Sequence, residues 1–287
     1  MNGRRARVTW QSRAVVVGFI GPTLAFFVLW VFGPAIYGLY LSLTNASLIA
    51  PPEFIGLANY AALFTSSLWW ASVGRTVAYA AEVVIPALVL SWAMARLTMR
   101  AAHGRAVFMT IYFLPYVIPG VASALVFDLL FQRYGVINQG FHLSIPWLTD
   151  PSTALYAVSI ATVWSFVGYY TVIFMAGYQQ LPKDLTEAAL IDGANVGQLI
   201  WYVELPMLRP TILFSTVTAV AAVLSNFATP FVMTQGGPGR ATTTLPLLIY
   251  DEAFSYSSAG LGEAMALVLL VASIIITALQ LRLLRLR

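Results

Sequence analysis

Six stretches of this chain run for roughly the length of a bilayer crossing, about 20 residues, with few charges: Ala14–Leu41, Val73–Leu97, Ala106–Phe131, Thr153–Tyr178, Thr211–Met233 and Leu261–Leu284. Inside lipid every backbone amide and carbonyl needs an internal partner, which leaves helices or closed barrels. Stretches this long and continuously apolar are read as helices, so the expected class is all-α and polytopic. Composition agrees. Charged residues make up 9% of the chain and apolar ones 60%, against about 25% charged in a soluble domain. The chain has no cysteine and only His103 and His142, so disulfides, thiolate metal sites and a histidine-built zinc site are excluded.

The first stretch follows Arg4, Arg5, Arg7 and Arg13 and could be mistaken for a secretory signal. Its apolar run is longer than the usual h-region of about 7–15 residues, so it reads as an uncleaved span. Basic residues then orient the bundle. With the N-terminus inside, the cytoplasm receives Arg4, Arg5, Arg7, Arg13, Arg96, Arg100, Arg105, Lys183, Arg209, Arg282, Arg285 and Arg287. The outer side receives only Arg75, Arg133 and Arg240. Both termini are therefore expected inside: a basic N-terminus over 1–13, a membrane domain over 14–284 and a basic end over 285–287.

The connections are unequal. Segment 42–72 is an outer connection with Pro51-Pro52, Glu53 and Trp69-Trp70, the tryptophans reading as interfacial anchors. Segment 234–260 is another, opening on the turn-forming run Gly236-Gly237-Pro238-Gly239. The inner loop 98–105 is short and makes spans two and three antiparallel neighbours. The inner loop 179–210 is long, and loops of that length with helical signals of their own are usually functional.

In that loop Pro182 ends the preceding span. Asp184 and Glu187 are spaced as an acidic variant of the capping box, which predicts a helix from Leu185. Gly193 supplies the positive φ that stops it. A second helical stretch runs through Tyr202, until Leu205-Pro206 and Pro210 redirect the chain into span five. Taken alone, this pattern describes a solvated surface helix.

The residues in combination resemble something more specific. Glu187-Ala188-Ala189, then Asp192-Gly193-Ala194, then Leu205-Pro206 resemble the EAA loop of permease subunits in binding-protein-dependent ABC importers, in the carbohydrate-uptake branch typified by the maltose and glycerol-3-phosphate systems. Pro22, Pro34 and Tyr40-Leu41-Ser42-Leu43-Thr44 are similar to that family's first core helix. The outer-loop signature is matched by 54–60 (FIGLANY), the third span by 114–119 (LPYVIP), the turn after it by 135–138 (GVIN), and the outer turn by 234–238 and 242–245. The sequence departs from the pattern at Arg75, where asparagine is common, at Phe127, where tryptophan is frequent, and in having no large insertion between spans.

The resemblance implies a type I importer permease fold in the plasma membrane of a bacterium, with N-in/C-in topology. It implies a second permease subunit, two cytoplasmic ATPase subunits and an extracytoplasmic substrate-binding protein as partners. Glu187, Ala188, Ala189, Asp192, Gly193 and Ala194 would dock on the ATPase, with Leu205 and Pro206 setting the exit angle. Asn226 would contact sugar, as an asparagine does in the family's pore, and Tyr169 matches an aromatic pore position; Ser225, Trp164 and Tyr170 are further lining candidates. No cofactor is expected on this chain. ATP and magnesium would sit on the ATPase, because Lys183, the sole lysine, follows no glycine-rich phosphate loop.

The intramembrane polar residues keep simpler readings beside these. Glu82, Asp128 and Glu263 could pair between helices or reach the interface, and Asn226 could bond one helix to another. Two other functions compete. An ion-coupled carrier would show internal repeats and midplane carboxylates, of which only Glu82 is a candidate. An intramembrane enzyme lacks a nucleophile or metal set.

Overall fold

The structure, a computed structural model, describes residues 10–100 and 104–285, with the side chains of 10–17, 183, 284 and 285 set aside. The basic residues at 4, 5, 7 and 287, His103, and most of the two terminal segments lie outside the described residues. The chain divides into two compact units.

The first unit combines the described part of Met1–Thr65 with Asp251–Leu267. Helix α1 (Trp10–Phe27) passes through a π-helical turn, Val28–Phe32, into α2 (Gly33–Leu41). The wide turn has a local cause. Pro34 offers no N–H and crowds the carbonyl one turn back, and the Gly33 amide reaches five residues to Val28 O instead. The α2 end is tied to α3 (Ala58–Thr65) by Asn59, whose amide donates to Ser42 O and Thr44 O at 2.8 Å each. Glycine at two positions permits close approach. A Cβ on Gly38 would lie 2.6 Å from Glu263 Oε2, and one on Gly260 would strike the Thr44 carbonyl.

The second unit is Ser66–Tyr250 with Val268–Arg287. Its helices are α4 (Ser67–Arg100), α5 (Arg105–Val117), α6 (Gly120–Phe131), α7 (Val136–Gly140), α8 (Ala154–Gln179), α9 (Lys183–Ile191), α10 (Val196–Gln198), α11 (Leu205–Met207), α12 (Arg209–Leu224), α13 (Ala228–Thr234), α14 (Leu245–Tyr250) and the greater part of α15 (Ala259–Arg285). A π-helical turn, Leu199–Glu204, joins α10 to α11.

Helices α4 and α8 form the central pair. Lipid tails are as apolar as leucine, so association inside a bilayer rests on close packing and on small residues that allow it. The buried residues of α8 are accordingly mostly small, Ala154, Ala157, Ala161, Gly168 and Gly177 with Ser159, Thr162 and Thr171, alongside Val158, Tyr170, Phe174 and Met175. A Cβ on Gly168 would drive into the Tyr112 carbonyl of α5, and one on Gly177 would sit 2.5 Å from Thr211 Oγ1 of α12. Hydroxyls add cross-links: Ser91 Oγ donates to Val167 O at 2.8 Å, and Ser159 Oγ donates to Glu82 Oε2 at 2.7 Å. Glu82 is thus paired between helices, as its simpler reading expected.

The six expected spans do not all survive as straight helices. Four helical stretches cross by length and apolarity, Gly18–Leu41, Ser67–Arg100, Ala154–Gln179 and Ala259–Leu283. The third stretch breaks by 92° between α5 and α6. Ile118 precedes Pro119, which forces it out of the helical region to φ −69°, ψ 129°. The fifth expected stretch, 211–233, breaks too: α12 ends at Leu224, Ser225–Phe227 are non-helical, and α13 resumes at Ala228. The outer connections are also more ordered than expected, holding α3 in one and α14 in the other. Trp69 is buried within its unit rather than anchoring at an interface, while Trp70 is exposed.

Candidate functional site

The long inner loop is the most elaborate part of the second unit. Its first helix, α9, begins at Lys183, two residues earlier than expected. The Asp184–Glu187 capping box is absent: the N-cap is Pro182 and no side chain caps it. The capping box lies one helix later. Asn195 Oδ1 accepts from the Gln198 amide at 2.9 Å, and Gln198 Oε1 accepts from the Asn195 amide at 2.8 Å. The signal was present as Asn-x-x-Gln, but the more acidic pair nearer the proline drew the assignment.

The stop of α9 is where it was expected. Gly193 adopts φ +82°, a conformation that costs any residue with a Cβ roughly 1–2 kcal/mol. Its amide donates to Leu190 O at 3.1 Å, and the Ala194 amide reaches back to Ala189 O at 3.0 Å. These two bonds are a Schellman closure. They give Ala189, Gly193 and Ala194 a joint structural role: a short helix with a fixed end. Glu187, Ala188, Asp192 and Gly193 are exposed and Ala189 and Ala194 half-buried. Ile191 is 85% exposed, with Leu190, Val196 and Tyr202 also exposed. A depression of about 360 Å³ lies beside them, lined by Ala189, Asp192, Gly193, Ala194, Gln198, Tyr202 and Val203. Apolar side chains clustered in a polar setting mark an interaction surface.

Beyond α10 the chain repeats the device seen before Pro34. Pro206 lacks an amide proton, and the Leu205 amide bonds five residues back to Ile200 O. Leu205 and Pro206 therefore lie within a helical run, both half-buried. The sharp change of direction, 69°, comes just after, between Met207 and Arg209. The redirection expected at Leu205-Pro206 is displaced to Leu208.

The wide turn places Glu204 against the membrane helices. Only 5% of Glu204 is exposed. Its Oε2 accepts from Arg96 Nε at 2.7 Å and from Tyr178 OH at 3.0 Å, and its Oε1 from Arg96 Nη2 and Arg100 Nη2 at 3.3 Å each. A buried carboxylate is tolerable only with such partners. Nothing local in the sequence marks it: Arg96 and Arg100 read as topology signals, and Glu204 lies over a hundred residues away with no visible link to them.

The other candidates cluster at depth in the bundle. Tyr169 stacks on Tyr116 of α5 at 4.5 Å, and Tyr170 meets Tyr169 edge-on at 5.0 Å. Trp164 meets Phe127 of α6 edge-on at 5.3 Å. Tyr170 is buried behind Tyr169, whereas Trp164 is 40% exposed. Asn226 fills the break between α12 and α13. Its side-chain amide donates to Tyr79 OH at 2.9 Å and Thr229 Oγ1 at 3.3 Å, and its Oδ1 accepts from the Thr229 amide at 3.3 Å. Tyr79 OH in turn lies 2.7 Å from Thr162 Oγ1. Asn226 thereby bonds α4 to the α12–α13 break and supplies an acceptor to a helix start. Ser225, beside it, is exposed, with its hydroxyl on Ala221 O. Among the described residues no group of three or more carboxylates or histidines could hold a metal ion.

Comparison with known proteins adds to this geometry. Residues 87–286 match the model of a family described as the inner membrane component of binding-protein-dependent transport systems. A probable ABC transporter permease of Sinorhizobium fredii is 34% identical over 96% of this chain and 90% of its own length. A multiple sugar-binding transport system permease of Streptococcus mutans is 32% identical over 89% of this chain and 90% of its own. Among solved structures, a chain of a bacterial ABC transporter that imports the acidic polysaccharide alginate superposes with a TM-score of 0.84 at 19% identity, covering 96% of both chains.

Proposed function

The chain belongs to the family of inner membrane components of binding-protein-dependent transport systems, and on that premise we propose that it is a translocation subunit of an ATP-driven importer for a sugar or sugar-like solute. The ion-coupled alternative is set aside by that membership. A second permease subunit, two cytoplasmic ATPase subunits and a binding protein on the outer side complete the assembly, with both termini of this chain inside. Hydrolysis is assigned to the separate ATPase, since Lys183, the sole lysine, follows no glycine-rich phosphate loop. ATP and its magnesium ion are held by the ATPase, and this subunit converts their use into movement.

One observation carries the reading: α9 ends in a Schellman closure and leaves apolar residues exposed, on the side that the basic residues assign to the cytoplasm. Ile191 at 85% exposure, beside the Schellman closure at Gly193, suits a protein partner far better than water. Glu187, Ala188, Ala189, Asp192, Gly193 and Ala194 form the docking helix and its stop. Leu205 and Pro206 hold the wide turn that follows. The sugar assignment rests on the relative named for multiple sugars and on chemistry. Aromatic faces such as Tyr169 and Trp164 receive the C–H face of a sugar ring, and amides and hydroxyls such as Asn226 and Ser225 exchange hydrogen bonds with its hydroxyls. Tyr170 backs Tyr169.

Gly193→Pro tests the docking helix. Proline fixes φ near −65° where the chain needs +82°, so the closure cannot form. Uptake is expected to fall to background while the protein still inserts in the membrane at normal abundance, and Glu187→Lys should do the same. Normal uptake with Gly193→Pro would overturn the proposal.

A further inference from the structure

We propose that Glu204 is the positioning residue through which movement of the cytoplasmic loop reaches the membrane helices; this rests on the docking role proposed above for α9. Three donors from two helices meet on its one carboxylate: Arg96 and Arg100 from the last turns of α4, and Tyr178 from the last turn of α8. The pairing with Arg96 uses both carboxylate oxygens and two guanidinium nitrogens. It therefore fixes an angle as well as a distance, where apolar packing alone would allow sliding. Glu204 and Arg96 are nearly enclosed, with side chains 6% and 11% exposed, so solvent and salt screen the pair little. The π-helical turn is what aims the carboxylate inward, and such turns concentrate at functional sites. Buried Leu199 and Leu208 fasten the segment on either side of it.

The arrangement makes α9 to α11 and the inner ends of α4 and α8 one body. A push on α9 is carried to α4 through an ion pair rather than through a hinge. The same link carries signals outward-in, from the binding protein's arrival to the ATPase.

The test uses the whole importer, purified with its ATPase and reconstituted in lipid, and reads ATP hydrolysis with and without the binding protein. The chain has no cysteine, so Ile191→Cys gives a single cross-linking position for docking. With Glu204→Gln, docking and basal hydrolysis should stay at the level of the unaltered complex, while stimulation by the binding protein falls about fivefold, within the range by which coupling residues act. The exchanged pair Arg96→Glu with Glu204→Arg should regain at least half of the stimulation. Full stimulation with Glu204→Gln overturns the proposal, as does an exchanged pair that restores assembly without restoring stimulation. Should neither charge variant assemble, Tyr178→Phe decides, since it removes one hydroxyl only: stimulation lowered about twofold supports the link, and unchanged stimulation overturns it. Failure of Ile191→Cys to cross-link in an otherwise unaltered chain counts against the docking role instead.

Discussion

Several single residues here are fixed by space or by charge, and each can be tested alone. Gly168 lies where a Cβ would enter the Tyr112 carbonyl, so Gly168→Leu is expected to push α5 away from α8 and lower the unfolding temperature sharply. Thermal unfolding in detergent checks this, and a midpoint like that of the unaltered protein would contradict it. Arg96→Ala leaves Glu204 buried with only Arg100, half in water, and Tyr178; losing the main partner of a buried ion costs about 3–5 kcal/mol. The same measurement should show it as a large fall. Asn226 is satisfied at all the hydrogen bonds its amide makes, two given and one received. That explains why an asparagine tolerates this depth: it closes a helix break that would otherwise leave an amide unpaired in an apolar setting. A lining role and this structural role are compatible, because the residue is only partly buried.

At the scale of elements, what the sequence makes readable depends on how local the cause is. Spans two, four and six were legible because apolar length alone determines them, and Gly193 because only glycine takes its φ without strain. The breaks at Pro119 and at Ser225–Phe227 were harder. Proline signalled the first, yet an unbroken apolar run outweighed it; the second contains no proline at all and depends on Tyr79, far away in the chain, to receive Asn226. The π-helical turns before Pro34 and Pro206 are legible afterwards as one device, a proline whose missing amide shifts its neighbour's bond back by a residue. The capping box was assigned to the wrong helix because spacing rules do not rank competing acceptors. Asn195→Ala is accordingly expected to cost about 1 kcal/mol and to show as faster amide exchange confined to α10 and the turn after it. Asp184→Ala should leave exchange in α9 nearly unchanged, since Asp184 caps nothing.

For the whole molecule, the short helix α9 and its stop at Gly193 could be found from the chain because their signals are local, whereas the docking role proposed for them comes from the resemblance to a family. The clasp at Glu204 could not be found from the chain, since it joins three segments brought together only by folding. The proposed function comes down to one step: movement at the cytoplasmic loop, powered by nucleotide on a partner subunit, opens a path for solute. Uptake by lipid vesicles is its most direct test, using the complete complex, the binding protein outside, and a radiolabelled oligosaccharide which that binding protein retains. The account predicts accumulation with ATP enclosed, none with ADP, and none when the ATPase subunits are omitted. Equal accumulation without the ATPase, driven by a proton or sodium gradient, would contradict it.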